Sequence, residues 1–139
     1  MNSSESAEPT AATSYVLDAS ALLALVLGEP GAEVVSTALH RGAVISTVNL
    51  AEVVSRLVRY GWSDQLIESR LAAFSFDAED FHSAVALRAG FLYRLTSPFG
   101  LSLGDRACLA LAMALKLPVV TSDRVWSQLD LGVEVVVCR

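Results

Sequence analysis

The stretch Tyr15-Val-Leu-Asp-Ala-Ser20 constrains the fold of this chain more than any other. Tyr15, Val16 and Leu17 form a short run without polar/apolar alternation, as in strands of a parallel sheet whose two faces are both covered by helices. Asp18 ends that run. Ala19-Ser-Ala-Leu-Leu-Ala-Leu-Val-Leu27 then reads as a helix, with Ser20 its expected N-cap. Ligands of open α/β sheets bind in the crevice outside the carboxyl ends of the strands. Asp18 therefore stands where a carboxylate either serves a site or simply starts a helix.

The rest of the chain repeats this alternation. Gly28-Glu-Pro-Gly31 is a turn, and Pro30 serves as an early helical residue for a helix over Ala32–His40. Ala43–Ser46 is a second short strand. A third helix is expected from Thr47 to Tyr60, closed by Gly61, with Leu50, Val53, Val54, Leu57 and Val58 as its apolar stripe. Ser63 caps a fourth over Asp64–Phe74. Ser75-Phe-Asp77 reads as a minimal strand, with Asp77 capping a long helix from Ala78 to Arg94. After the loop Thr96–Gly100 come a helix at Leu103–Leu115 and strands at Leu117–Thr121 and Val133–Val137. Strands alternating with helices, without hairpin turns, predict a three-layer α/β/α domain over 15–139. Its sheet has four or five mainly parallel strands joined by right-handed crossovers.

A chain of 139 residues is one domain, and 53% hydrophobic content leaves apolar surface for a partner beyond what one core needs. The net charge of −5 argues against non-specific attraction to nucleic acid or membranes. Nine of the ten basic residues are Arg, Lys116 being the exception, which fits either bidentate phosphate contacts or a GC-rich genome. Cys108 and Cys138 lie in apolar runs, as buried free thiols of a reducing compartment do. Residues 1–14 read as a disordered Ser/Ala/Thr/Glu tail, without the basic start or apolar core of a signal peptide. Ala19–Leu27 is too short to span a bilayer. The expectation is a soluble, cytoplasmic protein.

Four acids share one kind of address. Asp18 and Asp123 end apolar strands, while Glu52 and Asp105 lie early in helices that follow a strand or a loop. In a parallel sheet these places open on the same edge. Acids there also complement helix dipoles and cap helices, but four of them in otherwise apolar segments suggest convergence. Clustered carboxylates repel unless a cation neutralises them. An all-oxygen set without nearby His or Cys points to Mg²⁺ or Mn²⁺ rather than Zn²⁺, and a metal held this way can activate water for phosphodiester cleavage. His40 and His82 have no ligand-like spacing, and no Gly-rich phosphate loop, Ser–His–Asp elbow or CxxC is present.

Val16-Leu-Asp-Ala-Ser20, Ala51-Glu52, Gly104-Asp-Arg-Ala-Cys-Leu-Ala-Leu-Ala112 and Thr121-Ser-Asp123 followed by Trp126 resemble PIN-domain ribonucleases. More narrowly, they resemble the VapC toxins of bacterial toxin–antitoxin pairs. The resemblance runs from about residue 14 to the C-terminus and rests on the order and spacing of the motifs. It implies a metal-dependent endoribonuclease that cuts structured RNA, often tRNA or rRNA, and is held inactive by a VapB-type antitoxin. Asp18, Glu52, Asp105 and Asp123 then form the catalytic quartet binding Mg²⁺. Ser20 and Thr121 match supporting hydroxyl positions, Ser20 being equally well explained by capping. Arg106 and Arg124 flank two of the acids, placed either for RNA phosphate or for salt bridges with those acids. A homodimer is expected too, from the resemblance and from apolar residues such as Trp62, Phe91, Leu92 and Tyr93.

Two other readings compete. A phosphotransfer domain with a strand-end Asp wants a second Asp two residues on, where this chain has Ser20. A non-catalytic PIN-like interaction module needs no convergence of the acids.

Overall fold

A computed structural model of the protein describes residues 14–139, so the expected tail lies outside the described residues apart from Ser14. Among these residues five short strands form one sheet: β1 (Tyr15–Leu17), β2 (Ala43–Ser46), β3 (Asp77–Glu79), β4 (Val119–Thr121) and β5 (Val135–Val137). Their order is β3-β2-β1-β4-β5 and every pairing is parallel. The chain builds outward from β1 to β3, then returns to the other side of β1 to add β4 and β5. The order thus reverses between β1 and β4, the kind of switch point where open sheets bind ligands.

Among the described residues seven α-helices cover the two faces. Leu17, Ile45 and Val120 face one core, shared with α1 (Ala19–Leu27), α2 (Ala32–Arg41), α3 (Thr47–Arg59) and α4 (Asp64–Ala72). Val16 and Val119, one residue along their strands, face a second core with α5 (Ser83–Phe91) and α7 (Leu103–Leu115). The short α6 (Tyr93–Thr96) joins these last two. Burial on both sides explains why Val16 and Leu17 of β1 and Val119 and Val120 of β4 are consecutive apolar residues. Leu17 and Val120 are completely buried, and truncating such a Leu to Ala costs about 2–5 kcal/mol. Trp126 is also fully buried, in the second core.

The predicted three-layer α/β/α fold with a parallel sheet is the fold observed, and most helices start and stop near their expected ends. Ser63 caps α4, and Gly28 closes α1 in the left-handed conformation (φ 68°). The first helix has its expected bounds, Ala19–Leu27, but Asp18 and not Ser20 caps it, because Ser20 already lies inside the first turn. The segment 75–94 differs more. Asp77 is not a helix cap: Asp77–Glu79 pairs with Val44–Ser46 as the edge strand β3, and the helix starts only at Ser83 and breaks at Leu92. All three β3 side chains are exposed, so this strand carries no apolar signature. Charged residues there suit an edge that must not recruit another strand. The backbone pairing, reinforced by Phe81 N donating to Thr47 Oγ1 (3.1 Å), outweighs the helix propensity of Ala-Glu-Asp.

Of the apolar residues expected at the surface, Phe91 and Tyr93 are 73% and 59% exposed, but Leu92 is buried. Trp62 is half-buried against the first core, with the Arg70 guanidinium 5.4 Å from its ring centroid. Cys108 and Cys138 are buried and free. Among the described residues no single helix is long and apolar enough to cross a membrane.

Candidate active site

The carboxyl ends of β1 and β4 meet in a network of short hydrogen bonds. Asp18 is 4% exposed. Its Oδ1 accepts from Ala21 N (2.8 Å), as the α1 cap, and from Ser20 Oγ (2.7 Å). Its Oδ2 accepts from Thr121 Oγ1 (2.6 Å). Thr121 Oγ1 accepts in turn from Asp123 N (3.1 Å), and Ser20 Oγ accepts from Ser122 N (3.0 Å). Asp123 caps a 3-10 helix, Arg124–Gln128, with Oδ1 accepting from Val125 N (3.0 Å). The two hydroxyls expected to support the site therefore knit the strand ends together.

The other half of the site is made by helices. Ser102 and Asp105 form a reciprocal capping box at the start of α7: Asp105 N donates to Ser102 Oγ (3.1 Å), and Ser102 N to Asp105 Oδ2 (2.9 Å). Glu52 lies on the exposed side of α3. Asn49, one turn earlier, donates through Nδ2 to Glu52 Oε1 (2.8 Å) and to the Gly104 carbonyl (2.9 Å). A Cβ built on Gly104 would stand 2.6 Å from Glu52 Cδ, so any side chain there would displace this carboxylate from its place.

All four acids line one open cleft of about 370 Å³, together with Ser20, Glu29, Arg56, Tyr60, Ser102 and Arg139. Burial pushes the Asp18 carboxyl up to about 6. The Thr121, Ser20 and Ala21 hydrogen bonds oppose that rise, and the Asp105 charge adds to it. Cys108 lies within the field of the same acids: burial first, then the charges of Asp18, Asp105 and Glu52, hold its thiol well above the usual range. Among the described residues no three acids stand at ligating spacing. The expectation that the four share cations directly is thus met only as far as a common cleft. Both oxygens of Asp18, and one oxygen of each of the other three acids, are already held by a cap, a hydroxyl or an amide. Asp105, Asp123 and Glu52 each have a second oxygen without a hydrogen bond among the described residues. An all-oxygen set of this kind fits a hard divalent cation.

The two flanking arginines are not where the sequence suggested. Arg106 donates to the Ala89 carbonyl (2.9 Å) and stacks over Tyr93 (5.2 Å), tying α7 to the α5–α6 segment. Arg124 donates through Nε to the Arg139 carbonyl (3.2 Å). The arginines that line the cleft are Arg56 and Arg139, and Arg139 also approaches Glu29 (3.7 Å). Arg56 follows Glu52 by four residues on one helix, so i,i+4 spacing could have revealed it. Asn49, three residues before Glu52, could have been found in the same way. Gly104 gave no local signal, because its role depends on a helix that lies far away in the sequence.

Several solved structures share this fold. A toxin–antitoxin complex from Klebsiella pneumoniae aligns with a TM-score of 0.70 and 24% identity over 91% of this chain and 98% of that one. VapBC2 from Rickettsia felis, bound to a DNA fragment from its promoter, aligns with a TM-score of 0.70 and 18% identity over 88% and 96%. DNA-bound VapBC from Salmonella typhimurium gives 0.61 and 15% over 89% and 97%. At these identities the likeness establishes the fold. Comparison with curated proteins gives no match. The PIN domain family matches residues 15–131, nearly all of the described chain, and the protein belongs to that family.

Proposed function

We propose that the protein is a Mg²⁺- or Mn²⁺-dependent endoribonuclease, the VapC-type toxin of a toxin–antitoxin pair acting in the cytoplasm. One observation carries this reading: four acids from four separate segments line a single cleft at the β1/β4 switch point. Asp18, Glu52, Asp105 and Asp123 would hold the cation, which when bound lowers the pKa of water and stabilises the leaving oxygen of a phosphodiester. The protein's own part is positioning. Ser20 and Thr121 hold the Asp18 carboxylate between the two strands, and helix caps hold Asp105 and Asp123. Arg56, Arg59 and Tyr60 lie together at the end of α3 beside Glu52, where guanidinium groups pair with phosphate and an exposed ring stacks a base. The phosphotransfer alternative is disfavoured, because Ser20 stands where such an enzyme wants its second acid.

The toxin–antitoxin assemblies among the similar structures support a VapB-type partner. A segment of that partner could block the cleft by placing an Arg among the carboxylates. Exposed Leu87, Phe91, Tyr93 and Leu95 support a homodimer. The test is cleavage of cellular RNA by the purified protein across a Mg²⁺ titration. Cleavage that needs the metal and disappears in Asp105→Asn is expected; undiminished cleavage in EDTA sinks the mechanism. Copurification with the product of the neighbouring gene tests the partner.

A further inference from the structure

Glu52 is held differently from the other three acids. Asp18 and Asp123 cap helices and Asp105 closes a capping box, so backbone N–H groups fix all three. Glu52 lies beyond the first turn of α3, on a longer and more freely rotating side chain, and no cap reaches it. Its one hydrogen bond among the described residues comes from Asn49, which is 1% exposed.

Both groups that Asn49 Nδ2 meets, the Glu52 carboxylate and the Gly104 carbonyl, are acceptors only, so the amide must turn its nitrogen toward them. Asn49 Oδ1 is thereby left in the interior without a partner among the described residues. A buried acceptor without a donor is destabilising, and an orphan of this kind in a native protein calls for an explanation. Here it has one. The same amide spans α3 and the first turn of α7, joining Glu52 to the residue next to Asp105, while the missing Cβ of Gly104 leaves the seat for the carboxylate.

We infer that Asn49 is the positioning residue for Glu52, fixing its carboxylate on the Gly104 seat and so setting its distance from Asp105. The inference rests on the metal-nuclease reading for the identity of the ligand. It requires that Asn49 act through Glu52 and not through the fold.

Mn²⁺ binding to the full chain, measured by titration calorimetry without RNA, separates these possibilities. Asn49→Leu keeps the branched heavy-atom outline and removes both the clamp and the orphaned oxygen. Its melting temperature in EDTA should stay within a few degrees of wild type, while its Mn²⁺ dissociation constant rises about 10- to 100-fold, as for other groups that orient metal ligands. In a Glu52→Ala background the same substitution should produce no further loss. Gly104→Ala, which crowds the carboxylate directly, should weaken Mn²⁺ binding similarly and carries the test if Asn49→Leu does not fold. Unchanged affinity in either folded variant overturns the positioning role, as does an equal loss with and without Glu52. If wild type binds no Mn²⁺, the metal-nuclease reading fails first, and the inference fails with it.

Discussion

The two halves of the cleft are built by different means. At the ends of β1 and β4, Asp18 is buried and Thr121 wholly so, and Ser20, Thr121 and backbone N–H groups bind the strand ends into one network. At the facing ends of α3 and α7, Glu52 is exposed and depends on one amide and one missing Cβ. The strand half therefore ties its charge to the core, so altering it changes stability as well as chemistry. The helix half can lose its charge with little effect on the fold. Activity should not distinguish the halves; stability and its pH dependence should.

The largest effect tests the shared part of the comparison. Asp18→Asn and Glu52→Gln, one from each half, should each reduce RNA cleavage by on the order of 10²–10³-fold, comparable with removing one preorganised electrostatic group from a site. Gel-based cleavage rates at saturating Mg²⁺ measure this. If either variant retains wild-type rates, its half does not belong to the active site.

The next effect separates the halves. The Asp18 carboxyl is raised from 3.8 to about 6 in the folded protein, chiefly by burial. The folded state thus holds this proton more tightly than the unfolded state. Stability from Asp18 is fully present below about pH 4, is lost as pH rises toward 6, and is flat above that. The total loss is about 3 kcal/mol. Urea unfolding in EDTA from pH 4 to 8 should show this fall in wild type and in Glu52→Gln, and a much smaller one in Asp18→Asn. A fall of equal size in Asp18→Asn would place the proton on another group.

A smaller loss should follow Thr121→Val. The substitution removes the donor to Asp18 Oδ2 and the acceptor for Asp123 N while keeping the shape. Two polar groups are left without partners in or near the interior, at about 1–3 kcal/mol each when fully buried. Since Asp123 is exposed and water can reach it, the expected destabilisation is about 2 kcal/mol, read as a lower urea midpoint. A neutral outcome would mean that water already serves Asp18, and that the strand half is less sealed than its burial implies.

The same contrast decides how much of the protein could be read from its sequence. The strand half was legible because its parts are local: an apolar run, an acid at its end and a helix start lie within six residues, and Thr121-Ser-Asp123 repeats the pattern. The helix half was read only as acids, although spacing to Glu52 also offered Asn49 and Arg56. The Asn49–Gly104 bond joins residues 55 apart in the chain, and no spacing rule predicts where two helices touch. Arg106 misled for the same reason: it adjoins Asp105 in sequence, but on a helix consecutive residues point about a quarter-turn apart, and its side chain goes to Ala89 and Tyr93. Strand β3 failed as an apolar signal because an exposed edge is specified by backbone pairing and needs no hydrophobic side chains.

The smallest effect lies where the halves meet. The Asp105 charge contributes to the raised Asp18 carboxyl, so the two repel when both are ionised. Asp105 also supports α7 as a charged capping-box residue in its first turn. Asp105→Asn keeps an oxygen to accept from Ser102 N, loses the charge–dipole contribution of about 0.3–1 kcal/mol, and relieves the repulsion. Below the Asp18 value near 6 that carboxyl is protonated and there is little repulsion to relieve. At pH 5 in EDTA the variant should therefore melt below wild type by about 0.3–1 kcal/mol in stability. At pH 8 the repulsion between the two carboxylates returns in wild type alone, and the variant should melt level with it or above it. Mg²⁺ at pH 8 should restore the wild-type advantage, because a ligand that binds the native state at about a hundred times its dissociation constant adds roughly 2.7 kcal/mol, and the variant's site is weakened. A deficit of one size at both pH values, unmoved by Mg²⁺, would reduce Asp105 to a helix cap and leave the two halves of the cleft electrostatically independent.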